Sequence, residues 1–471
     1  MVVGEVAVET DVVVIGGGPG GYAAAIRLGQ LGKSVVLVEK EALGGACLHR
    51  GCIPSKALIH TAETMEKAAH ASTMGIRGLE KAPALDMGAW QEWKQSVVQT
   101  LEQGVEGLCR RQQVTIVRGK ASFFSDDRIG VETDGDMEYY RFQEAVIATG
   151  SSPVHPGFAP VDHRRVLDST SLLSLEELPA SLAVIGGGYI GVELGSALAK
   201  AGTDVTLIEA APEILPAAAP HLSRVVAKKA DKQMTVLTGA SLSSLTAEAD
   251  GVSLSVETTE ETIEKQVDYV LVTVGRKPNT DGLGLSQAGV EVEENGMIPV
   301  DMQCRTNVSH IYAIGDITPG PALAHKASKQ GKVAAEVIGG MNRAVDSAFI
   351  PYVIFSDPQI AGVGRTKEEA EADGYNVKTG RFPMQHNGYA LASEQAEGFA
   401  EVVVDADSHV LLGFHAVGPD AVNTISEGAL ALELAARVED VAWTVHPHPT
   451  LSEGWMEACE QALGHAIHVP S

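Results

Sequence analysis

Residues 11–21 read DVVVIGGGPGG, and residues 181–191 read SLAVIGGGYIG. In both stretches a short apolar run, typical of a buried strand, leads directly into closely spaced glycines. The next segments, AAAIRLGQLG and VELGSALAKAG, have helical character, and each precedes a second apolar run that ends in an acid. The order strand, glycine turn, helix, strand therefore occurs twice in this chain.

The glycines of both units have the spacing G-x-G-x-x-G. The first glycine permits the tight turn, the second lets the backbone approach a pyrophosphate, and the third lets helix and strand pack closely. Phosphate would bind the free N–H groups of the helix N-terminus. The acid stands the same number of residues after the first glycine in both units, where it can accept hydrogen bonds from ribose hydroxyls. The residues predicted to bind two dinucleotides are Gly16, Gly18, Gly21 and Glu39, then Gly186, Gly188, Gly191 and Glu209.

Two structural glycine turns are the alternative interpretation, because a single motif of this kind is common. Repetition in the full strand–turn–helix–strand context favours binding, and two dinucleotide sites imply electron transfer between two cofactors. Glu209 would repel the 2′-phosphate of NADP, and no arginine follows it immediately. The second site is therefore predicted to bind NAD.

Composition limits the other possibilities. The chain has 471 residues, enough for several domains, and a net charge of −26, which argues against nucleic-acid binding. The acidity is explained most simply by solubility, and a saline habitat or a basic partner surface is the alternative. No apolar run approaches the roughly 18 residues of a membrane span, and no signal peptide precedes residue 11. We expect a cytoplasmic protein that is not bound to a membrane.

Cys47 and Cys52 lie in GGACLHRGCIPSK, residues 44–56, directly after the first unit. A helix beginning here would put the cysteines about one turn apart, so that a disulfide could close. A helix N-terminus and a nearby cation, for which Lys56 is the candidate, would favour a reactive thiolate. Zinc is the alternative, but no second cysteine pair or nearby histidine cluster supplies further ligands. We predict a redox-active pair and no metal site.

Several motifs resemble the pyridine nucleotide–disulfide oxidoreductase family, over nearly the whole chain. Within the family, the resemblance is greatest to the members that oxidise dihydrolipoyl groups with NAD⁺. The redox motif matches residues 44–56, and the second glycine motif matches GGGYIGVE. The other matches are ATG at 148–150, VGRKPN at 274–279, IYAIGD at 311–316, LAHKAS at 323–328 and HPHPTLSE at 446–453.

The resemblance implies a role for each matched residue. Cys47 would be the thiol that meets the substrate, Cys52 the thiol beside the flavin, and His448 the acid–base residue whose imidazole Glu453 holds. Lys56 and Glu193 would form an ion pair near the flavin, although an ordinary packing salt bridge is the alternative, and His446 is expected to be structural. The remaining cofactor-binding predictions are Ala148, Thr149, Gly150, Gly275, Asp316 for the ribitol chain, Leu323, Ala324 and His325.

The implied fold class is α/β, with two Rossmann-like dinucleotide-binding domains and a C-terminal α+β dimerisation domain. Residues 1–150 would form the first FAD-binding segment and 151–275 the NAD-binding domain. Residues 276–347 would close the FAD side, and 348–471 would form the dimerisation domain. Because His448 comes from the other subunit in this family, the resemblance also implies a homodimer.

The implied reaction oxidises protein-bound dihydrolipoyl groups to lipoyl groups with NAD⁺, through FAD and the Cys47–Cys52 disulfide. The implied partner is the lipoyl-bearing acyltransferase of a 2-oxo acid dehydrogenase complex, or the lipoyl protein of glycine cleavage. The alternatives are another FAD-dependent disulfide reductase and a non-catalytic flavoprotein scaffold. Departures from the family pattern leave the redox potential, the substrate fit and the dimer interface open; they are His49, Arg50, Gln359, Tyr389 and Trp455.

Overall fold

The computed structural model describes residues 7–78, 83–345 and 349–469. In these residues no helix combines the length and the apolar character needed to cross a bilayer. The predicted boundary between the third and fourth regions, at 347 and 348, lies outside the described residues, and the domain limits stay predictions.

The first glycine unit forms the centre of a large sheet. Its strands β1 and β2 are almost continuous runs of valine, isoleucine and leucine, which suits parallel strands that are covered on both faces. Strands β3, β2, β1 and β6 pair in parallel in that order, and β4 and β5 extend the sheet in antiparallel fashion. The elements are β1 Val8–Ile15, α1 Pro19–Gln30, β2 Val35–Glu39, α2 Gly45–Arg50, α3 Cys52–His70, α4 Met87–Arg111, β3 Thr115–Arg118, β4 Lys120–Ser125, β5 Arg128–Glu132 and β6 Met137–Ile147.

The second unit repeats this arrangement. Strands β11, β10, β9, β15 and β8 form a parallel sheet in that order, and β12, β13 and β14 form an antiparallel sheet beside it. The elements are β7 Ser151–Pro153, β8 Val166–Leu167, α5 Ser169–Leu172, β9 Ser181–Ile185, α6 Tyr189–Ala201, β10 Asp204–Glu209, α7 Pro220–Gln233, β11 Thr235–Thr238, β12 Ser241–Ala247, β13 Val252–Glu257, β14 Thr262–Val267 and β15 Tyr269–Val272.

The chain then returns to the first sheet. Strand β16 pairs antiparallel with β7, so that the two connections between the dinucleotide units lie side by side. Strand β17 joins the first sheet next to β6, and helix α8 packs against α1. These elements are β16 Arg276–Pro278, β17 Ile311–Ala313 and α8 Ala324–Ile338.

The C-terminal region is an antiparallel sheet with helices against one face. The strand order is β18, β19, β22, β21 and β20, and the helices α11 and α13 bury a core around Phe414 and Trp455. The α/β class, with its antiparallel C-terminal unit, is therefore confirmed. The elements are β18 Tyr352–Ile354, β19 Gln359–Gly364, α9 Lys367–Ala372, β20 Val377–Pro383, α10 Gly388–Ala392, β21 Phe399–Asp405, β22 Leu411–Gly418, α11 Ala421–Glu433, α12 Val438–Ala442 and α13 Glu453–Leu463.

Candidate active site

The two glycine turns have nearly the same geometry. Gly16 and Gly186 have φ angles of 105° and 107°, which side chains rarely tolerate. A Cβ atom on Gly21 would lie 1.8 Å from the carbonyl oxygen of Gly16, and one on Gly191 would lie 2.0 Å from that of Gly186. Only glycine therefore fits the third position of either motif.

The middle glycine of each motif faces open space instead. Gly18 and Gly188 precede helices α1 and α6, and an added Cβ at either position would meet no atom within 4 Å. The unpaired N–H groups of a helix N-terminus attract phosphate. A pyrophosphate could thus approach the backbone at both turns, which is what a dinucleotide requires.

The two acids hold the glycine turns in place. One carboxylate oxygen of Glu39 accepts a hydrogen bond from the N–H of Gly17 at 2.7 Å, and one of Glu209 accepts from Gly187 at 2.6 Å. The other oxygen of each acid accepts from the backbone two residues further on. A carboxylate offers about four lone pairs, so each acid can still accept from a ribose hydroxyl.

A single cavity of about 840 Å³ extends from the first glycine turn to helix α6. Its volume is within the range of about 300–1,000 Å³ that is usual for bound cofactors. The open turn at one end and the disulfide on its wall fit an elongated dinucleotide with a flat ring. The predicted site residues that line it are Gly16, Gly18, Glu39, Cys47, Cys52, Lys56, Ala148, Thr149, Gly150, Glu193, Asp316 and Ala324.

The cysteine pair bridges two helices rather than one helical turn. Cys47 lies in α2, Cys52 is the first residue of α3, and a disulfide joins them with their Cα atoms 4.7 Å apart. The positive end of the long helix α3 would stabilise a thiolate on Cys52 after reduction. The other thiols are buried, and burial raises the pKa of Cys109 to about 11 and of Cys304 to about 12, so both stay protonated.

Lys56 and Glu193 form the expected ion pair. The Nζ atom of Lys56 lies 2.8 Å from a carboxylate oxygen of Glu193, whose side chain is almost fully buried in α6. The other oxygen accepts from the backbone N–H of Phe355 at 2.8 Å, and the Phe355 ring lies 4.5 Å from the same ammonium. A buried carboxylate needs such partners, and here they fix a cation on the cavity wall. Phe355 was not predicted from the sequence.

Asp316 belongs to a polar chain along the cavity. Its carboxylate accepts a hydrogen bond from the Ser151 hydroxyl at 2.5 Å, and that hydroxyl also accepts from Nε of Arg276 at 2.8 Å. All three side chains line the cavity, where Asp316 can accept hydrogen bonds from a polyhydroxyl chain. Ser151 and Arg276 lie inside or beside recognised motifs, but their contact with Asp316 was not predicted.

Outside the two glycine units, three of the predicted cofactor residues do not line the cavity. Within the units, the cavity lining also lacks Gly21, Gly186, Gly188, Gly191 and Glu209. Gly275 has a φ of 128° at the end of the second unit, and Leu323 precedes helix α8. The ring of His325 lies 2.6 Å from the carbonyl oxygen of Pro351, and it therefore ties α8 to the C-terminal region. None of the three lines the cavity in the described residues.

His448 and Glu453 meet as predicted, but on the outer surface. The Nδ1 atom of His448 lies 2.8 Å from Glu453, whose second oxygen accepts the N–H of Thr450 at 2.8 Å. The imidazole is 78% exposed. Neither residue lines the cavity formed by the described part of one chain. Apolar side chains near this surface are strongly exposed, including Trp443 at 82% and Val445 at 92%.

His446 has the structural environment that was expected. Its side chain is 4% exposed, with Nε2 at 2.7 Å from Glu427 and Nδ1 at 2.8 Å from the Thr444 carbonyl oxygen. The hydrogen bond to Glu427 raises the pKa of His446. Both ring nitrogens are thus engaged.

Four of the five residues that depart from the family pattern have a side-chain hydrogen bond or ion pair in the structure. His49 forms a hydrogen bond with the Leu43 carbonyl oxygen through Nε2, and Arg50 pairs with Glu41 beside the disulfide.

Trp455 is a core residue, because its indole packs on Phe414 and donates a hydrogen bond to the Thr424 carbonyl oxygen. It therefore holds helix α13, which begins at Glu453, against the core of the C-terminal region. Tyr389 is 47% exposed, and Gln359 accepts from the N–H of Val422.

Comparison with known proteins agrees with this geometry. Residues 10–331 match the model of the pyridine nucleotide-disulphide oxidoreductase family, and 350–459 match its dimerisation domain. The chain is 48% identical to dihydrolipoyl dehydrogenase of Geobacillus stearothermophilus, covering 100% of this chain and 99% of the relative. It is 45% identical to that of Halobacterium salinarum, covering 99% of each.

Solved structures have the same architecture. The crystal structure of LpdA from Mycobacterium tuberculosis superposes with a TM-score of 0.90 at 26% identity, covering 96% of this chain and 99% of that one. The HOCl-induced flavoprotein disulfide reductase RclA from Escherichia coli gives 0.84 at 26% identity with the same coverage. The chain belongs to the pyridine nucleotide-disulphide oxidoreductase family.

Proposed function

We propose that this chain is an FAD-containing enzyme that oxidises protein-bound dihydrolipoyl groups to lipoyl groups with NAD⁺. The observation that carries the proposal is the Cys47–Cys52 disulfide on the wall of the cavity that begins at the first glycine turn. Full-length relatives at 44–48% identity are dihydrolipoyl dehydrogenases, whereas RclA is only 26% identical. The dihydrolipoyl group is therefore favoured over the substrates of other disulfide reductases.

The cofactors of this reaction are FAD and NAD. Bound FAD supplies two-electron transfer between a dithiol and NAD. The first glycine turn, with Glu39, would hold the adenosine and pyrophosphate of FAD, and Asp316 would accept from its ribitol hydroxyls. Lys56 would place its ammonium beside the ring. The second turn, with Glu209, would hold NAD.

His448 provides the base that the substrate dithiol needs. Its Nδ1–H donates to Glu453, so the lone pair of Nε2 is free to take a proton. The resulting substrate thiolate attacks the sulfur of Cys47, the bond to Cys52 breaks, and Cys52 leaves as a thiolate. The second substrate thiol then attacks the substrate sulfur bonded to Cys47 and passes its proton to the leaving Cys47 sulfur. This step releases the lipoyl disulfide and leaves Cys47 as a thiol beside the Cys52 thiolate.

We infer that the working enzyme is a homodimer. His448 faces outward beside exposed apolar side chains, and residues 350–459 match a dimerisation domain. A base supplied by His448 of the partner subunit would complete the cavity of each chain. The C-terminal region would thus have two roles. It would join the two subunits, and it would supply the base for the active site of the partner.

The source of the dihydrolipoyl group is proposed on chemistry alone. It would be the lipoyl-bearing acyltransferase of a 2-oxo acid dehydrogenase complex, or the lipoyl protein of glycine cleavage. A cytoplasmic location stays a prediction from the sequence.

Anaerobic titration of the FAD-loaded enzyme with NADH tests the proposal. A long-wavelength band should appear, because the Cys52 thiolate would lie against the oxidised ring. Cys52→Ser should lose this band, whereas the matched control Cys47→Ser should show it before NADH is added, because its Cys52 sulfur is not held in a disulfide. Wild-type enzyme should also form NADH from dihydrolipoamide and NAD⁺.

Two results would contradict the assignment. If Cys52→Ser kept the band, the thiolate beside the ring would be a different one. If the FAD-loaded wild type formed no NADH from dihydrolipoamide, a non-catalytic scaffold or another disulfide substrate would be favoured.

A further inference from the structure

A second group of chemically reactive side chains lines the cavity. His155 follows β7, His163 lies in the loop before β8, and Asp168 stands at the start of α5. The ligand atoms of these three residues all lie within 4.8 Å of one another. They come from separate turns of the chain, and the sequence analysis expected no metal site.

The two imidazoles converge on one carboxylate. Nε2 of His155 lies 3.2 Å from Oδ2 of Asp168, and Nδ1 of His163 lies 3.9 Å from Oδ1. The rings are 5.6 Å apart between centroids and nearly perpendicular. Asp168 is buried, while both histidines are about half exposed, so the rings can adjust and the carboxylate is fixed.

The carboxylate also has a free side. Its Oδ1 caps helix α5 by accepting the N–H of Ser171 at 2.8 Å. Among the described residues, the hydrogen-bond partner of Oδ2 is Nε2 of His155 alone. An ion bound at Oδ2 would therefore leave the helix cap intact.

The spacing suits a tetrahedral ion. Zinc binds imidazole nitrogen and carboxylate oxygen at about 2.0–2.2 Å, which separates neighbouring ligand atoms by roughly 3.3 Å. Nε2 of His155 and Oδ2 of Asp168 already have this separation. The three ligand atoms all lie within 4.8 Å of one another, so the exposed His163 ring needs to move by no more than about 1.5 Å. Two imidazoles with one carboxylate are ligands that zinc and similar transition metals accept and that magnesium and calcium do not prefer.

We propose that His155, His163 and Asp168 bind one zinc ion per chain at the wall of the dinucleotide cavity. Three protein ligands leave a fourth position open for water or another ligand. The site is separate from the cysteine pair and does not depend on the proposed reaction. The ion would tie the loop around His163 to the start of α5, and so would fix that part of the wall.

Zinc titration of the oxidised, FAD-loaded enzyme tests this site, because the Cys47–Cys52 disulfide removes the thiolates as competing ligands. The enzyme is first treated with a chelator, and zinc is then measured by competition with a chromophoric chelator and by elemental analysis after gel filtration. We expect one zinc per chain and a higher melting temperature. His163→Asn should weaken zinc binding by about 100-fold or more, since loss of even outer partners costs about 10–100-fold.

His163→Asn is the informative variant because asparagine tolerates the positive φ of 57° at this position. His409→Asn is the matched control, since His409 is a half-exposed histidine that pairs with Glu439 outside the cluster. It should bind zinc like the wild type. The proposal is wrong if the oxidised wild type retains no zinc, or if His163→Asn binds as tightly as His409→Asn. Flavin absorbance and the melting temperature without zinc show that both variants fold.

Discussion

The two dinucleotide units share their backbone design and differ in the segment that each glycine turn contacts. In the first, the carbonyl oxygen of Gly17 accepts the N–H of Gly44 at 2.8 Å, and in the second that of Gly187 accepts from Leu215 at 2.8 Å. Gly44 opens the segment that carries the disulfide, whereas Leu215 leads into α7, a helix without cysteine. The fold therefore supplies two similar glycine turns for dinucleotide phosphates, which we call the two cradles. The redox chemistry comes from the segment attached to the first.

The helices of the two units also meet different neighbours. Helix α1 packs closely on α8, where a Cβ on Gly331 would lie 2.4 Å from the Gly20 carbonyl oxygen. Helix α6 packs on α3 instead, and Glu193 reaches Lys56 there. The residue that corresponds to Glu193 in the first unit is Ala23. The helix with Cys52 at its start thus joins the two units, which brings the start of α6 to the cavity of the first unit.

The largest effect is expected when the third glycine of each motif is replaced. Alanine at Gly21 or Gly191 would place a Cβ within 2.0 Å of a backbone oxygen, so the turn has to open. We expect Gly21→Ala to be purified without FAD and to be inactive. Gly191→Ala should keep its flavin and its reduction by dihydrolipoamide, while NADH formation falls by about 100-fold or more, roughly 2.7 kcal/mol.

Flavin absorbance of the purified variants, followed by anaerobic reduction and NADH assays, separates these steps. Loss of flavin from Gly191→Ala with full retention in Gly21→Ala would reverse the assignment of the two cradles. Equal loss of both functions in both variants would show that the units do not act independently.

A smaller effect is expected from the acids. Glu209→Gln keeps a side chain that can contact the N–H of Gly187 but removes the charge that strengthens a ribose hydrogen bond and repels a 2′-phosphate. Hydrogen bonds to charged groups contribute about 1.5–3 kcal/mol, so the KM for NAD⁺ should rise by about 10-fold or more. The preference for NAD⁺ over NADP⁺ should fall, as measured by kcat/KM with each. Glu39→Gln is the matched control, and a KM for NAD⁺ that rises equally there would refute the distinction.

The sequence predicts the duplicated units well because their constraints are local. The apolar runs before the glycine turns form strands β1 and β9, and each predicted acid ends a strand. The cysteine segment was less predictable. The chain breaks into two helices at Gly51, whose ψ of −106° no residue pattern specified.

Contacts between distant segments were the part that the sequence could not supply. Phe355 reaches Glu193 from another region of the chain, and its segment carries no chemical motif. The grouping of His155, His163 and Asp168 depends on the path of a loop that has no periodicity. For His448, pairing with Glu453 follows from the family motif, but its outward position appears only in the folded chain.

The smallest expected effect concerns a position where the two units differ by one methyl group. Gly195 in α6 corresponds to Ala25 in α1, and a Cβ at Gly195 would lie 3.6–3.7 Å from its nearest neighbours, which is ordinary contact. Alanine lowers the entropy cost of ordering a helix, so Gly195→Ala should raise the free energy of unfolding by about 0.5–1 kcal/mol. Because the enzyme has several domains, the melting temperature of the second unit is the appropriate measure. With activity unchanged, the variant would show that α6 tolerates the residue used in α1. A lower melting temperature would mean that the second helix packs more tightly than its counterpart, and that the likeness of the two units ends at the glycine turn.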